Sequence, residues 1–362
     1  MTEAAVEPGH GALPPIIPQI HAAEHGHGVS VYRTFALASV AIGLTFVFSN
    51  YLNFWQGWPG VPEMFANLGW FGLKAPSTPF DSSTTILGWS QIALYLIPIA
   101  AIMGYVVNTP MRSMQADSDM LSAFVAYLIR AGFWAVLLIG LADMVISFLR
   151  VEGLLKQIIS NDLADKLGRT AFRGVYVHYV LIVVALVIAM FTRMLGFTWL
   201  ALMIVAAEIT IVIARFVFSY EQAFMGDLVR FWYGALFLFA SPYTLIHEGH
   251  VRVDIAYAGF SERGKAWTNT IGSVFLGLPL CWVIMTCGLW GKSNIISGPL
   301  LNYEVTQSGY GLYVKYLLAG FLLVFAVTML IQFMSYFLRN VAILMHEPGE
   351  HHVATDEHPV II

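Results

Sequence analysis

The fold of this chain is decided by nine residues, HEGHVRVDI at 247–255. They form a dense polar segment between two long apolar runs, because neither 231–246 nor 267–290 contains a charged residue. Two carboxylates and an arginine cannot lie unpaired in hydrocarbon, where each charge costs several kcal/mol. We therefore expect this polar segment to be a loop at a membrane face or a turn docked on another polar surface. The basic residues that follow it place that face in the cytoplasm by the positive-inside rule.

Composition sets the class of protein around this segment. Of the 362 residues, 58% are hydrophobic and 11% are charged, whereas roughly a quarter of the residues in a soluble domain are charged. Apolar windows of about 20 residues recur, which is the length that crosses a bilayer core. The sequence thus predicts an all-α, polytopic helical membrane protein with short interfacial helices. The net charge of -4 includes no basic tract, so no nucleic-acid partner is expected.

Hydropathy predicts eight transmembrane helices, with both termini in the cytoplasm. Four helices fall in an N-terminal part, 31–194, and four in a C-terminal part, 195–340. The predicted spans are 31–53, 86–107, 121–149, 174–193, 197–218, 228–245, 266–290 and 313–338.

The two ends of the chain, 1–30 and 341–362, are rich in histidine and are predicted to be disordered cytoplasmic tails. Metal capture by these histidines is one reading, but we favour a solvated tail without a specific site. Cys281 and Cys287 lie six positions apart in one predicted helix. They therefore point to different faces and are expected to stay unpaired.

The segment 151–173 poses a conflict. Its apolar residues repeat at helical spacing, which predicts a short interfacial helix. Counting spans from the cytoplasmic polar segment puts 151–173 outside, although it carries four basic residues. Either the interfacial helix overrides the charge rule or one of the predicted spans is wrong.

Arg130, Asp143, Glu208 and Arg215 are ionisable residues that lie inside predicted spans. Such residues are candidates for function by default. Arg130 and Asp143 point to nearly opposite faces of one helix and cannot pair with each other, and for them we favour bonds to other helices over a transport role. Glu208 and Arg215 share a face two turns apart, too far for a direct bond. Glu208 therefore requires a partner on another helix or another chain.

Motifs for chemistry are mostly missing. The sequence lacks a Gly-Lys-Ser/Thr phosphate loop, so ATP hydrolysis is unsupported. His247 and His250 are one residue short of the zinc-protease spacing and no third ligand is evident. His178 is the single histidine within a span away from the polar segment, which argues against paired haem ligands. No internal inverted repeat is found, so the chain resembles a partner of a transporter more than a complete one. We expect no enzyme activity, no cofactor and no metal.

The polar segment is similar to a known family. GHVRVDI at 249–255, with SER at 261–263 and AW at 266–267, resembles the small membrane subunit, DctQ, of tripartite ATP-independent periplasmic (TRAP) transporters. Three weaker elements lie at compatible distances: ARFVFS at 214–219, FMGDLVR at 224–230 and NYEVTQSGYG at 302–311. The resemblance covers roughly 195–340. It departs from the family where Trp-Ser-Glu-Glu is replaced by FMGD at 224–227, which leaves one carboxylate there.

The resemblance implies a multi-pass protein of a bacterial inner membrane that works through partners. In this family a periplasmic binding protein delivers an organic acid to a membrane pair. The large permease subunit holds the substrate and sodium sites and moves by an elevator motion, while the small subunit is a scaffold. The long N-terminal part favours a 2-oxo acid or another carboxylate as substrate.

The family motifs also suggest structural anchors. We expect Arg252 and Asp254, with Glu248 and His250, to fix the cytoplasmic turn, and Asp227 and Arg230 to anchor the outer interfacial segment. Two other functions remain open: a self-contained ion-coupled secondary transporter that uses the intramembrane charges, and a haem-binding membrane subunit of an oxidoreductase that uses His178 and His247.

Overall fold

The computed structural model describes residues 27–193, 196–221, 223–246, 257–305 and 311–347. Within these ranges the chain is helical and contains no strand. The all-α prediction is therefore confirmed. The α-helices are α1 (His27–Gln56), α2 (Val61–Asn67), α3 (Ser82–Asn108), α4 (Met114–Val151), α5 (Leu155–Ile158), α6 (Asn161–Leu167), α7 (Thr170–Arg173), α8 (Tyr179–Phe191), α9 (Phe197–Phe218), α10 (Ala223–Ile246), α11 (Glu262–Gly272), α12 (Leu278–Leu289), α13 (Ser297–Asn302) and α14 (Lys315–Leu344).

Two of the long helices contain a wider π-helical segment. Gly174–His178 joins α7 to α8, so that Thr170–Phe191 is one apolar helix. Ser273–Gly277 joins α11 to α12 in the same way. Each π segment adds a residue to a helical turn and shifts the faces of the flanking helices.

Seven helices in the described residues are long and apolar enough to cross a membrane, one fewer than the eight predicted. The exception is α10, which forms a continuous helix of 24 residues. Asp227 and Arg230 near its start, and Pro242 with other polar residues near its end, dilute its apolar character. The helix itself was predicted correctly as an element, although it starts five residues before the predicted span.

α4 and α14 form the centre of the bundle. α14 packs against α4, α10, α1, α11 and α12, and α4 also packs against α8 and α10. With 38 residues, α4 is about 57 Å long at 1.5 Å per residue. Since α4 belongs to the predicted N-terminal part and α14 to the C-terminal part, the two parts share one core. The division at 194/195 stays a prediction about the sequence.

Two predicted tails are shorter than expected. α1 begins at His27, so 27–30 are helical and not tail. α14 continues to Leu344, six residues beyond its predicted end. The carboxylate of Glu347 then accepts hydrogen bonds from the backbone N–H of Met114, at 2.9 and 3.1 Å. That N–H begins α4 and has no partner within the helix, so the contact fixes 341–347 to the bundle.

A short helix, α5, forms within the apolar pattern of 151–173, and the segment continues into α6 and α7. Ser160 interrupts it, because its side chain accepts a hydrogen bond from the N–H of Leu163 and starts a new helix. Its basic side chains are largely matched by carboxylates. Lys156 lies 2.8 Å from Asp165 and Lys166 lies 2.6 Å from Asp162. The positive-inside rule counts basic residues and not net charge, so these pairs leave the conflict with an outside location in place.

Candidate functional site

A buried polar network lies where α4, α8 and the start of α14 meet. Both oxygens of Asp143 are engaged. Arg173 donates to Oδ1 at 2.7 Å, and Nε2 of His178 lies 3.2 Å from the same oxygen. The backbone N–H of Tyr313 donates to Oδ2 at 2.8 Å. Nδ1 of His178 lies 2.8 Å from the hydroxyl of Tyr316. The side chains of Asp143, Arg173 and His178 are fully buried.

Further contacts of Arg173, and the glycine that follows it, hold this network together. The remaining N–H groups of Arg173 donate to the carbonyl of Leu167, at 2.8 and 3.0 Å. The guanidinium carbon of Arg173 lies 4.2 Å from the centre of the Tyr313 ring, in a cation–π contact. Gly174 follows directly, and a Cβ atom there would lie 2.5 Å from the ring of Tyr303. Only glycine therefore lets this helix approach the aromatic side chains so closely.

The network leaves its members little freedom for chemistry. Asp143 pairs with Arg173, so the buried charges are balanced, as buried ions require. A haem iron could bind His178 only if one of its ring nitrogens lost its present partner. Within the described residues, no group of three or more His, Cys, Asp or Glu side chains could hold a metal ion. The arrangement is thus suited to fixing α4, α8 and α14 in one position.

A second buried ion pair fixes the opposite end of the bundle. Nε of Arg33 donates to Asp117 at 2.7 Å, and both side chains are buried. Arg112 donates to the other oxygen of Asp117 at 2.6 Å, and this hydrogen bond raises the pKa of Arg112. The guanidinium of Arg33 also donates to the carbonyl and the hydroxyl of Thr109. These contacts join α1, α3 and α4.

Between these two ion pairs, small polar side chains link α4 to α14. Ser118 lies 2.9 Å and Ser122 lies 2.7 Å from the hydroxyl of Ser335. Gln332 donates to the hydroxyl of Ser122 at 3.3 Å. Small residues let helices approach closely in a membrane, and their hydroxyls bond across the interface. α4 and α14 are therefore joined along much of their length.

The predicted outer anchor, Asp227 with Arg230, lies at the start of α10. Oδ2 of Asp227 accepts a hydrogen bond from the N–H of Leu312 at 3.2 Å, and Arg230 lies 3.3 Å from Oδ1. Asp227 is nearly buried whereas Arg230 is exposed. Asp227 thus ties α10 to the segment before α14. The predicted cytoplasmic anchors lie outside the described residues: Glu248, His250, Arg252 and Asp254.

The other intramembrane candidates are not brought together. Arg130 is half-buried in α4, and its Nε is buried without an acceptor among the described residues. Glu208 and Arg215 are exposed on α9. Arg215 borders a small groove with Tyr220 and Glu221.

Both cysteines are free, Cys281 buried and Cys287 exposed, in agreement with their predicted lack of pairing.

Sequence reasoning missed most partners in the two ion-pair networks. Arg173 was counted among the basic residues of 151–173, and Arg33, inside the first predicted span, was not singled out. The sequence nevertheless contained a signal for Arg33 and for Arg173, because an arginine next to or inside an apolar run requires a counter-ion. The identity of that counter-ion depends on how the helices pack, which the sequence does not encode in any short motif.

An apolar groove lies between α4, α9 and α10. Its volume is about 430 Å³, and Thr210 is one of its few polar lining residues. Phe148 on α4, Met203 on α9 and Trp232 on α10 form parts of its wall. Such a lining suits hydrocarbon and not a carboxylate, so this groove is no candidate for a substrate site.

Residues 203–343 match the family model "Tripartite ATP-independent periplasmic transporters, DctQ component". This part of the chain is similar to the DctQ family. The match begins within α9 and ends one residue before the end of α14, so it confirms the resemblance found at the polar segment. The matched family is one of transporter components. No curated protein and no solved structure matches the chain.

Proposed function

We propose that this chain is the small membrane subunit of a TRAP transporter and braces a large permease subunit in an inner membrane. The DctQ match over 203–343 carries the proposal. In the proposed complex the large subunit moves the substrate, and this chain supplies a fixed surface beside it. Uptake is driven by sodium, whose binding site belongs to the large subunit.

The paired charges of the bundle support a static role. Asp143 and Asp117, the two deeply buried carboxylates described above, are each held by an arginine and by at least one other donor. A carrier that alternates between two states needs polar groups that exchange one partner for another. Both carboxylates are fully engaged in the present arrangement, so neither is available for such an exchange. Small residues and aromatic side chains fill the helix contacts instead, as expected of a scaffold.

The proposed substrate is an organic acid, a 2-oxo acid or another carboxylate, captured by a periplasmic binding protein. This assignment follows from the family resemblance of the chain. The residues that select the substrate would lie in the permease and the binding protein. No cofactor is proposed for this chain.

Reconstitution in liposomes tests the proposal. We expect sodium-driven uptake of a carboxylate when this chain, the large permease and the substrate-loaded binding protein are all present. Omission of this chain should reduce uptake at least tenfold. Liposomes that contain this chain alone should show neither substrate uptake nor substrate-dependent sodium flux.

The same experiment separates the alternatives. Sodium-coupled uptake by the chain alone would contradict the scaffold role and favour a self-contained secondary transporter. A haem absorption band in the purified chain would instead favour an oxidoreductase subunit. A matched control uses liposomes with the permease and an inactive binding protein, which should show no uptake in any combination.

A further inference from the structure

Two stripes on the exposed surface of α9 differ in their chemistry. α9 packs mainly against α10, and Leu200 and Ala207 are buried within that contact. One exposed stripe is wholly apolar, with side chains between 46% and 79% exposed, as suits a surface that faces lipid. Its members are Leu202, Ile209, Ile213 and Phe216.

The second stripe follows the spacing of a helix-packing seam and carries two charges. Its residues recur at intervals of four, three, four and three, the pattern by which one helix presents a continuous line to another. Val205 is 54% exposed and Val212 is 52% exposed, and the two charged members are also exposed. We call this stripe the α9 seam: Ala201, Val205, Glu208, Val212 and Arg215.

Glu208 lies at the middle of the apolar helix. α9 has 22 residues, which give it a length of about 33 Å and match the hydrocarbon thickness of a bilayer of roughly 30 Å. Glu208 is about 15 Å from either end by the same helical rise. Within the described parts of the chain it forms no hydrogen bond and no ion pair. A carboxyl group at that depth requires a donor, because neither lipid tails nor water supply one there.

We propose that the α9 seam docks on a transmembrane helix of the large permease subunit. That helix carries a basic or hydrogen-bond-donating side chain at the depth of Glu208, and an acceptor at the depth of Arg215. The assignment rests on the proposed function. To that function it adds which face of this chain docks and which kinds of side chain the permease presents to it.

A second copy of this chain does not fit the seam. Two copies in one membrane share the same orientation, so their symmetry axis runs along the membrane normal and equivalent helices are parallel. A symmetric contact through this seam would bring each Glu208 opposite its own equivalent. Two carboxyl groups at the midplane would repel if charged and would offer no basic donor if neutral, so a different protein fits the seam better.

Photo-cross-linking from matched positions tests the docking face. A photoreactive amino acid is placed at Val205 or Val212 in the seam, or at Ile209 or Ile213 in the apolar stripe, in the full complex with the permease. The four positions have nearly equal exposure, between 46% and 54%. We expect at least tenfold more permease adduct from the two seam positions than from the two controls. Equal yields, or more adduct from the controls, would overturn the inference.

Substitution of Glu208 tests the chemistry. Glu208→Gln keeps a hydrogen-bonding side chain and should retain most of the permease in pull-downs from native-like membranes. Glu208→Leu should lower the permease recovered per chain at least tenfold. Glu221→Leu, which removes an exposed carboxylate just beyond α9, is the control and should leave recovery unchanged. Wild-type recovery with Glu208→Leu would contradict the inference.

These outcomes separate this inference from the proposed function. If the wild-type chain recovers the permease but its cross-links come from Ile209 and Ile213, the scaffold function stands and the α9 seam is wrong. If the wild-type chain recovers no permease and transports alone, both are overturned.

Discussion

At Asp143 one carboxylate accepts hydrogen bonds from the N–H of Tyr313, just before α14, and from Arg173 near the start of the next transmembrane segment. Replacement by asparagine removes the negative charge and leaves Arg173 buried without a counter-ion. Breaking one side of a buried pair costs about 3–5 kcal/mol. We expect Asp143→Asn to lower the unfolding midpoint in detergent by several degrees.

An exposed pair provides the control for this prediction. Lys156 and Asp165 lie 2.8 Å apart with about 60% of each side chain exposed, and such pairs contribute about 0–1 kcal/mol. Asp165→Asn should therefore leave the midpoint nearly unchanged. The double replacement Asp143→Leu with Arg173→Met removes the unpaired charge but leaves the N–H of Tyr313 without its acceptor, so it should recover only part of the lost stability. If the two asparagine variants melted alike, the buried pair would not hold the helices together.

The sequence identified side chains that are energetically unfavourable in a membrane better than it identified the residues that pair with them. Asp143 and Glu208 were recognisable because each interrupts a long apolar run. The bond between Asp143 and Arg173 could not be predicted, because the two lie 30 positions apart on different helices. The π-helical segment at Gly174–His178 also changes which side chains face α4, and no sequence signal revealed it.

At the scale of elements, α4 and α10 are in contact where Gly140 faces Trp232. A Cβ atom at Gly140 would lie 2.2 Å from Nε1 of this indole. Trp232 is buried and donates a hydrogen bond to the carbonyl of Val136, so it has no room to move. Overpacking costs about 1–3 kcal/mol, more than the gain of about 0.5–1 kcal/mol from alanine in a helix. Gly140→Ala should therefore lower the unfolding midpoint.

A glycine in open space is the matched control for Gly140. No atom lies within 4 Å of a Cβ placed at Gly104 in α3. Gly104→Ala should raise stability slightly, by up to about 1 kcal/mol, through helix propensity alone. Both variants are compared with the wild type by thermal unfolding in one detergent. A Gly140→Ala variant that is as stable as Gly104→Ala would show that α4 and α10 can separate without cost.

Long apolar helices could be predicted well and short polar ones could not. α9 has the same bounds that were predicted, because a break at Gly196, in the left-handed conformation, defines its start clearly. α4 begins seven residues before its predicted start, because Ser113 caps it by accepting a hydrogen bond from the N–H of Ala116. In 151–173 a similar cap at Ser160 starts α6 and separates it from α5, since capping depends on single side chains and not on periodicity.

At the scale of the whole molecule, the family match and the packing core do not coincide. The DctQ match begins at residue 203, yet α10 and α14 pack directly against α4. The number and order of helices were nearly predictable, because each span must satisfy its own backbone in lipid. Their arrangement was not, because apolar faces carry little information about which neighbour they meet. The central position of α4 is therefore the main feature that only the structure reveals.

Truncation tests whether the DctQ part can stand without α4. A chain of residues 196–362 loses every contact of α10 and α14 with α4, including those of Ser335 and Trp232. A longer chain, 109–362, keeps α4, and Asp117 keeps Arg112 as its counter-ion. Packing and hydrogen bonds between helices drive their association in a membrane. The longer fragment should therefore elute as a single peak from gel filtration in detergent, and the shorter one should aggregate. A monodisperse 196–362 fragment would instead show that the four N-terminal helices are an independent addition to the DctQ part.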